Sequence, residues 1–235
     1  MHRHDLPARN AKPVPPRAEA PLKTVDLKAI VDAVRACRLC RDAPRFGAPL
    51  PHEPRPVLRV SSTARILVAS QAPGARVHAS GMPFTDQSGV RLRSWMGVDE
   101  AIFYDVSRIA IAPMGFCFPG YDSKGADIPP RRECAATWHQ ALFAALPQIE
   151  FILAVGAPAQ RYHLTRLGRP DLIGASLTET VSNWRAIRDG TRPRLYPLPH
   201  PSWRNNGWIR THPWFESELL PAMRADLSRM LAASA

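Results

Sequence analysis

The first residues in this chain whose type and spacing could do chemistry are its four cysteines. Cys37 and Cys40 form a C-x2-C pair, and Cys117 and Cys134 follow with 16 residues between them. Two thiolates three positions apart can face one metal from a turn or a helix end. The other two must be brought from distant chain. Structural zinc accepts four thiolates, and a [4Fe–4S] cluster accepts the same set. Spacing alone leaves both open, beside a reading in which the thiols are ordinary core residues. Nucleophilic thiol catalysis fits less well, because a catalytic cysteine needs a base beside it. His139, five residues after Cys134, falls in a helical stretch with Trp138 and has no third group to orient it.

These residues need elements to position them. Short apolar runs at Arg65–Ser70, Ile109–Ala112, Phe151–Val155 and Leu195–Leu198 read as buried strands. Helical patterns lie between and around them, at about 25–40, 88–96, 131–145, 157–167, 176–187 and 214–232. Residues 41–62, punctuated by Pro44, Pro49, Pro51, Pro54 and Pro56, read as a loop. Strands that alternate with helices imply a parallel sheet covered on both faces. The expected fold is α/β, with three α/β/α layers around a central parallel four-stranded sheet. Ligands in such folds bind beyond the carboxyl ends of the strands. The most unusual segments, Gln71–Gly74, Pro113–Gly120 and His200–Trp208, fall at those ends.

Length supports one domain over 23–235, preceded by a basic, Pro-rich tail over 1–22 that reads as disordered. The net charge of +11, from 31 Lys and Arg against 20 Asp and Glu, favours a polyanionic partner, foremost nucleic acid. No apolar stretch is long enough for a membrane span. The polar start, Met1–Pro21, lacks the apolar core of a secretory signal. A reducing, cytoplasmic location is expected, nucleoid-associated through DNA, and thiols there are poor disulfide candidates.

The run Ile66–Gly74, then Gly81-Met-Pro-Phe84 and Ser88-Gly89, resembles the first motif of the iron–sulfur (family four) uracil-DNA glycosylases. Leu198-Pro-His-Pro-Ser202 resembles the second motif of that superfamily, and the four cysteines match the family's cluster pattern in order and nearly in spacing. The resemblance spans about Arg35 to Leu231. It implies the three-layer fold, a [4Fe–4S] cluster on Cys37, Cys40, Cys117 and Cys134, and hydrolysis of the N-glycosidic bond of a uracil flipped out of DNA. An abasic site would be left, as in base excision repair. A monomer is expected, since such a site needs no second chain.

Roles follow from the resemblance. A flipped base needs a tight pocket to read it, and Phe84 matches the stacking aromatic. Ala72, Pro73 and Gly74 would line that pocket. His200 matches the motif histidine, which donates, as a neutral imidazole, to the oxyanion developing on the departing base. The family places a carboxylate on the first loop, but this chain has Gln71 and Ala72 there. Gln71 can orient water and cannot act as a base. Asp86 is the substitute, or else only the N-cap of the next helix; as a catalytic group its replacement by Asn would cost roughly 10²-fold. The family's base-reading Asn is missing from Ala112–Cys117, so backbone groups of 113–116, around Met114, would read the base. Gly74 stands where the best-known family has a Tyr that excludes thymine. Hypoxanthine or xanthine therefore enters the substrate range. Ser202, Trp203, Arg204 and Asn205 would enter the DNA groove and fill the gap behind the flipped nucleotide. Arg131, Arg132, Arg161, Arg166 and Arg210 would line the DNA path. His78 is not assigned the covalent role a histidine plays in a related subfamily. The departures in the first motif sustain an alternative, a non-catalytic nucleic-acid-binding module on the same scaffold. A zinc-stabilised nucleotide hydrolase is a weaker third reading, for want of a phosphate loop or an acidic metal cluster.

Overall fold

The computed structural model describes residues 26–232, so the expected tail over 1–22 lies outside the described residues. Four strands, β1 (Ile66–Ala69), β2 (Ile109–Ile111), β3 (Phe151–Val155) and β4 (Arg194–Leu198), form one all-parallel sheet in the order β2-β1-β3-β4. The four apolar runs thus become the four strands. Nearly every strand residue is buried, as a sheet covered on both faces requires.

Alternation along the strands separates the two faces. Leu67, Ala69, Ala110, Ile152, Ala154 and Leu195 point into one core. Helices α1 (Leu27–Arg35), α7 (Gln140–Ala144) and α8 (Ala157–Arg166) cover that face through Ile30, Val34, Leu142, Phe143 and Leu164. Ile66, Val68, Ile109, Ile111, Leu153, Val155 and Tyr196 point into the other core. There α4 (Gln87–Met96), α5 (Glu100–Tyr104) and α12 (Leu220–Ala232) contribute Leu92, Trp95, Phe103, Met223 and Leu227. Successive side chains on a strand face opposite ways, so two cores on one sheet make the three layers. The otherwise open edge of β2 is capped by the Pro-rich loop. Arg59 and Ile111 exchange backbone hydrogen bonds of 2.8 and 2.6 Å.

The remaining helices are α2 (Leu39–Asp42), α3 (Ala75–Ser80), α6 (Arg132–Cys134), α9 (Leu177–Ser182), α10 (Trp184–Gly190) and α11 (Asn206–Thr211). The helix expected over 25–40 stops at Arg35. One more turn would carry Arg38 onto the buried face, four residues after Val34; instead Arg38 turns outward to Asp42 and Glu53 at 2.7 Å each. Asp26 caps its start, accepting from the Lys28 amide. The stretch expected over 131–145 is helical with a π segment at Ala135–His139. That over 176–187 is broken at Asn183 into α9 and α10. Helix α11 occupies part of a segment expected to be loop. No helix among the described residues is long and apolar enough to cross a membrane.

Candidate active site

The loops at the carboxyl ends of β1, β2 and β4 converge. They enclose a hollow of about 90 Å³ whose walls include Ala72, Pro73, Gly74, Phe84, Asp86, Pro113, Asp127 and His200. One buried water needs ~10–15 Å³ on this scale, so the hollow holds roughly six to nine atoms of that size, the content of a single pyrimidine ring. An outer cavity of about 620 Å³ adjoins it, lined by Gln71, Arg76, Ser202, Trp203, Arg204 and Asn205 among others. The two spaces share Ala72, Pro73, Asp86, Ser88, Asp127 and His200, which form the mouth between them.

Phe84 is held rigidly. It adopts φ 59°, a left-handed conformation rare for a bulky residue. Its carbonyl accepts from the Tyr104 hydroxyl at 3.0 Å and the Arg93 guanidinium at 3.2 Å. A Cβ at Gly89 would overlap that same oxygen, which is why the residue after Ser88 is glycine. The buried ring packs edge-on against Phe103, with centroids 5.8 Å apart. Asp86 caps α4, accepting from the Gly89 amide at 3.2 Å, and also reaches the mouth of the hollow. The cap expected for that position is present, and capping does not remove the residue from the hollow.

His200 leaves β4 between two prolines, and its ring forms part of the mouth. Burial lowers its pKa, with the Arg204 charge adding to the effect, against the opposing pull of Asp86 and Asp127. Burial thus favours the neutral imidazole. Asn205 donates to the His200 carbonyl at 2.6 Å and closes the loop on itself. One amide hydrogen is spent within the chain, while the residue still lines the outer cavity. Arg91 ties the same loop to α4 by donating to the Ser202 carbonyl at 2.9 Å. Trp208 anchors the far end, donating to the Thr178 hydroxyl at 2.8 Å. Trp203 is left 73% exposed at the tip, with Arg204 near its ring.

Three expectations are corrected. The Gln71 side chain lies outside the hollow; its amide packs into the space a Cβ at Gly156 would fill, where β3 ends with φ 84°. It lines the outer cavity alone. The Met114 side chain points away, into a groove with Arg131, Arg132, Arg161 and Arg166. The amide hydrogens of 114–116 are spent within the chain, so of the segment's backbone groups only carbonyls remain to read a base. Met114 donates to the Ser70 carbonyl and Gly115 to that of Gln71, each at 2.8 Å, and Phe116 donates to Cys134 Sγ at 3.4 Å. Proline 113 has no amide hydrogen to offer.

Sequence reasoning missed Asp127. It sits in a small hairpin where Tyr121 and Asp127 bridge and Asp122 accepts from the Lys124 and Ala126 amides at 2.8 and 2.9 Å. The available signal was that Asp122 and Asp127 are the only acids between Cys117 and Glu133, and a turn consumes the first. His78 lies apart from the site's chemistry, packed against His52 with ring centroids 4.4 Å apart.

Cys117 lies on the Pro113–Gly120 segment and packs in one cluster with Cys40 and Leu50. All four are free thiols, and Cys40, Cys117 and Cys134 are buried. Interaction with Cys134 draws the pKa of the Cys40 thiol down to about 7, and interaction with Cys40, with burial, raises that of Cys134. Burial, with Cys40 and Cys37 nearby, pushes Cys117 up to about 12. Cys37 lies between α1 and α2, beyond the helix expected to carry it. Among the described residues no group of three or more His, Cys, Asp or Glu side chains is arranged to hold a metal ion as it stands.

A family model described as "Uracil DNA glycosylase superfamily" matches residues 59–224, which takes in all four strands and every wall of the hollow except Val57. With the parallel sheet and the base-sized hollow at its strand ends, that match establishes that the chain belongs to the uracil DNA glycosylase superfamily.

Proposed function

We propose that the protein excises uracil from DNA by hydrolysing its N-glycosidic bond, leaving an abasic site. The observation that carries this reading is the hollow itself: one ring fits between Phe84 and the Ala72–Gly74 turn, with a neutral His200 at its mouth. Cleavage places negative charge on the departing base and positive charge on the sugar. A neutral imidazole donating to the base oxygen stabilises the first without itself carrying charge, a contribution of about 10²–10³-fold for one such donor. The sugar cation and the attacking water need a carboxylate, and the mouth offers Asp86 and Asp127.

DNA would approach along the outer cavity, with Trp203 and Arg204 filling the gap left by the flipped nucleotide. Pro130 borders both that cavity and the groove of Arg131, Arg132, Arg161 and Arg166, so a basic track continues from the mouth. The exposed Arg210 on α11 adds to the basic surface. The protein acts as a monomer, because every wall of the site comes from one chain. With Gly74 in place of a blocking side chain and no free amide on 114–116, the pocket discriminates loosely, and hypoxanthine and xanthine belong to the substrate range.

The donor set suits a soft metal: four thiols and no carboxylate, with an amide hydrogen already aimed at Cys134 Sγ. Cys37, Cys40, Cys117 and Cys134 would close on a [4Fe–4S] cluster, placing the protein with the family-four enzymes; structural zinc is the second candidate. When bound, the group cross-links the segment after α1 to the walls of the site. Purified protein that is brown, with broad absorbance near 400 nm and stoichiometric iron and sulfide, supports the cluster; colourless protein holding zinc supports the alternative.

Oligonucleotides with a single uracil, hypoxanthine or xanthine, incubated with the protein and then treated with alkali, test the activity. Strand cleavage at the modified base is expected, most with uracil. Binding without cleavage would support the non-catalytic alternative.

A further inference from the structure

We propose that Asp127, on the hairpin between the third and fourth cysteines, is the carboxylate that takes the proton from the attacking water, standing in for the acid missing from the Gln71–Ala72 turn. The inference rests on the glycosylase reading above and adds to it the identity of the base.

The first argument is position. A base in the inner hollow and its sugar in the outer cavity place the bond to be cut at the mouth between them. Two carboxylates line both spaces, Asp86 and Asp127. The second argument is availability. Asp86 already accepts from the Gly89 amide as the cap of α4. The Asp127 carboxylate makes no hydrogen bond or ion pair among the described residues. It is exposed, and it lines both the hollow and the outer cavity. A group that must receive a proton works best with its acceptor oxygens unoccupied.

The third argument is the shape of the first loop. Gly74 has an ordinary backbone conformation, φ −81°, so no left-handed turn demands glycine there. The nearest atom to a Cβ built on it is the Asp127 carboxylate oxygen, at 3.8 Å. A large side chain at 74 would occupy the space through which Asp127 reaches the mouth. The absent carboxylate at 71 and 72 and the absent side chain at 74 are thus complementary: the turn vacates the position that the hairpin fills.

In the step itself, a water at the mouth gives a proton to Asp127 as its oxygen bonds to the sugar C1′. The C1′–N bond breaks with its electron pair going to the base, which leaves as an anion held by His200. Asp127 returns the proton to solvent, and the base anion takes one from solvent. The sum is one water consumed, one free base and one abasic sugar formed.

Single-turnover excision from a uracil oligonucleotide between pH 5 and 9 tests this, using wild type, Asp127→Asn, Asp127→Glu and Asp86→Asn. His200 and Asp86 are the other titratable groups that share the mouth with Asp127, and Arg76 and Arg204 line the cavity beside it. Asp127→Asn should lower the rate about 10²-fold across the range, while melting temperature and affinity for abasic-site DNA stay unchanged. Asp127→Glu should recover part of the rate. Asp86→Asn should lose less than Asp127→Asn. An Asp127→Asn protein that excises at the wild-type rate, or a larger loss in Asp86→Asn than in Asp127→Asn, overturns the assignment alone. Wild type that excises no base overturns it together with the glycosylase reading.

Discussion

Two corners of this molecule flank the Pro113–Gly120 segment and are built differently. The hollow is made by strand ends, and its walls are tied to one another: Phe84 through Gly89, Arg93 and Tyr104, and the His200 loop through Asn205 and Arg91. The thiol corner is made by loops and helix ends, where the Phe116 amide donates to Cys134 Sγ at 3.4 Å. The hollow is shaped by the fold before anything binds. The cysteines, in contrast, form no metal-holding group among the described residues as they stand. Position at the ends of a buried parallel sheet gives precision without a cofactor; position among loops does not.

That contrast can be broken from either side. The largest effect should come from His200→Ala, with excision reduced about 10²–10³-fold, equivalent to about 3–4 kcal/mol, and melting temperature unchanged. Single-turnover kinetics and calorimetry check both halves.

Next comes acid. His163 and His139 are fully buried behind the thiol corner, among Phe143 and Tyr162. Burial lowers both pKa values, that of His139 to about 4. The folded state therefore refuses a proton that the unfolded chain accepts near pH 6.5. Stability should be constant above that value and fall as pH drops from about 6.5 towards about 4, by on the order of 3 kcal/mol for His139 alone. Urea melts across that range measure it, and a flat profile would remove the two histidines as its source.

Gly89→Ala follows, because it drives a methyl into the Phe84 carbonyl. It should cost roughly 2–3 kcal/mol, the upper range for one substitution, and abolish excision while metal content is retained. In protein that carries the proposed cluster, Cys134→Ser should do the reverse: metal content lost and the melting temperature lowered by about 5 °C, with the hollow still able to bind free uracil. Equal loss of both properties in each variant would erase the distinction between the corners. The smallest effect is Trp203→Ala, which should weaken DNA binding about tenfold through lost stacking without changing the bound-state cleavage rate.

Much of this was legible in the sequence. The four strands announce themselves as apolar runs ended by Gly, Pro or Ser. The motif residues Ala72, Pro73, Gly74, Phe84 and His200 do meet around one hollow. What escaped was whatever depends on where a loop turns. Asp127 belongs to a hairpin 38 residues beyond Gly89, the end of the first motif, and no periodicity marks it. Gln71 was expected at the base because it holds the motif's position, but Gly156 opens a berth for it over β3. Met114 was expected to face the pocket, yet its amide is spent on Ser70 and its side chain falls on the other side of the segment. Helix ends were misplaced where a charge decided them, as Arg38 did for α1.

The left-handed backbone at Phe84 has a consequence for recognition. A phenylalanine in that region sits roughly 1–2 kcal/mol above an ordinary conformation, and the surrounding lattice of donors absorbs that disadvantage once, when the chain folds. An arriving base thus meets a ring already immobilised and surrenders little motional freedom on the protein's side. Affinity for the free base should accordingly carry a favourable enthalpy and a small entropic term, even though the contact is mostly apolar.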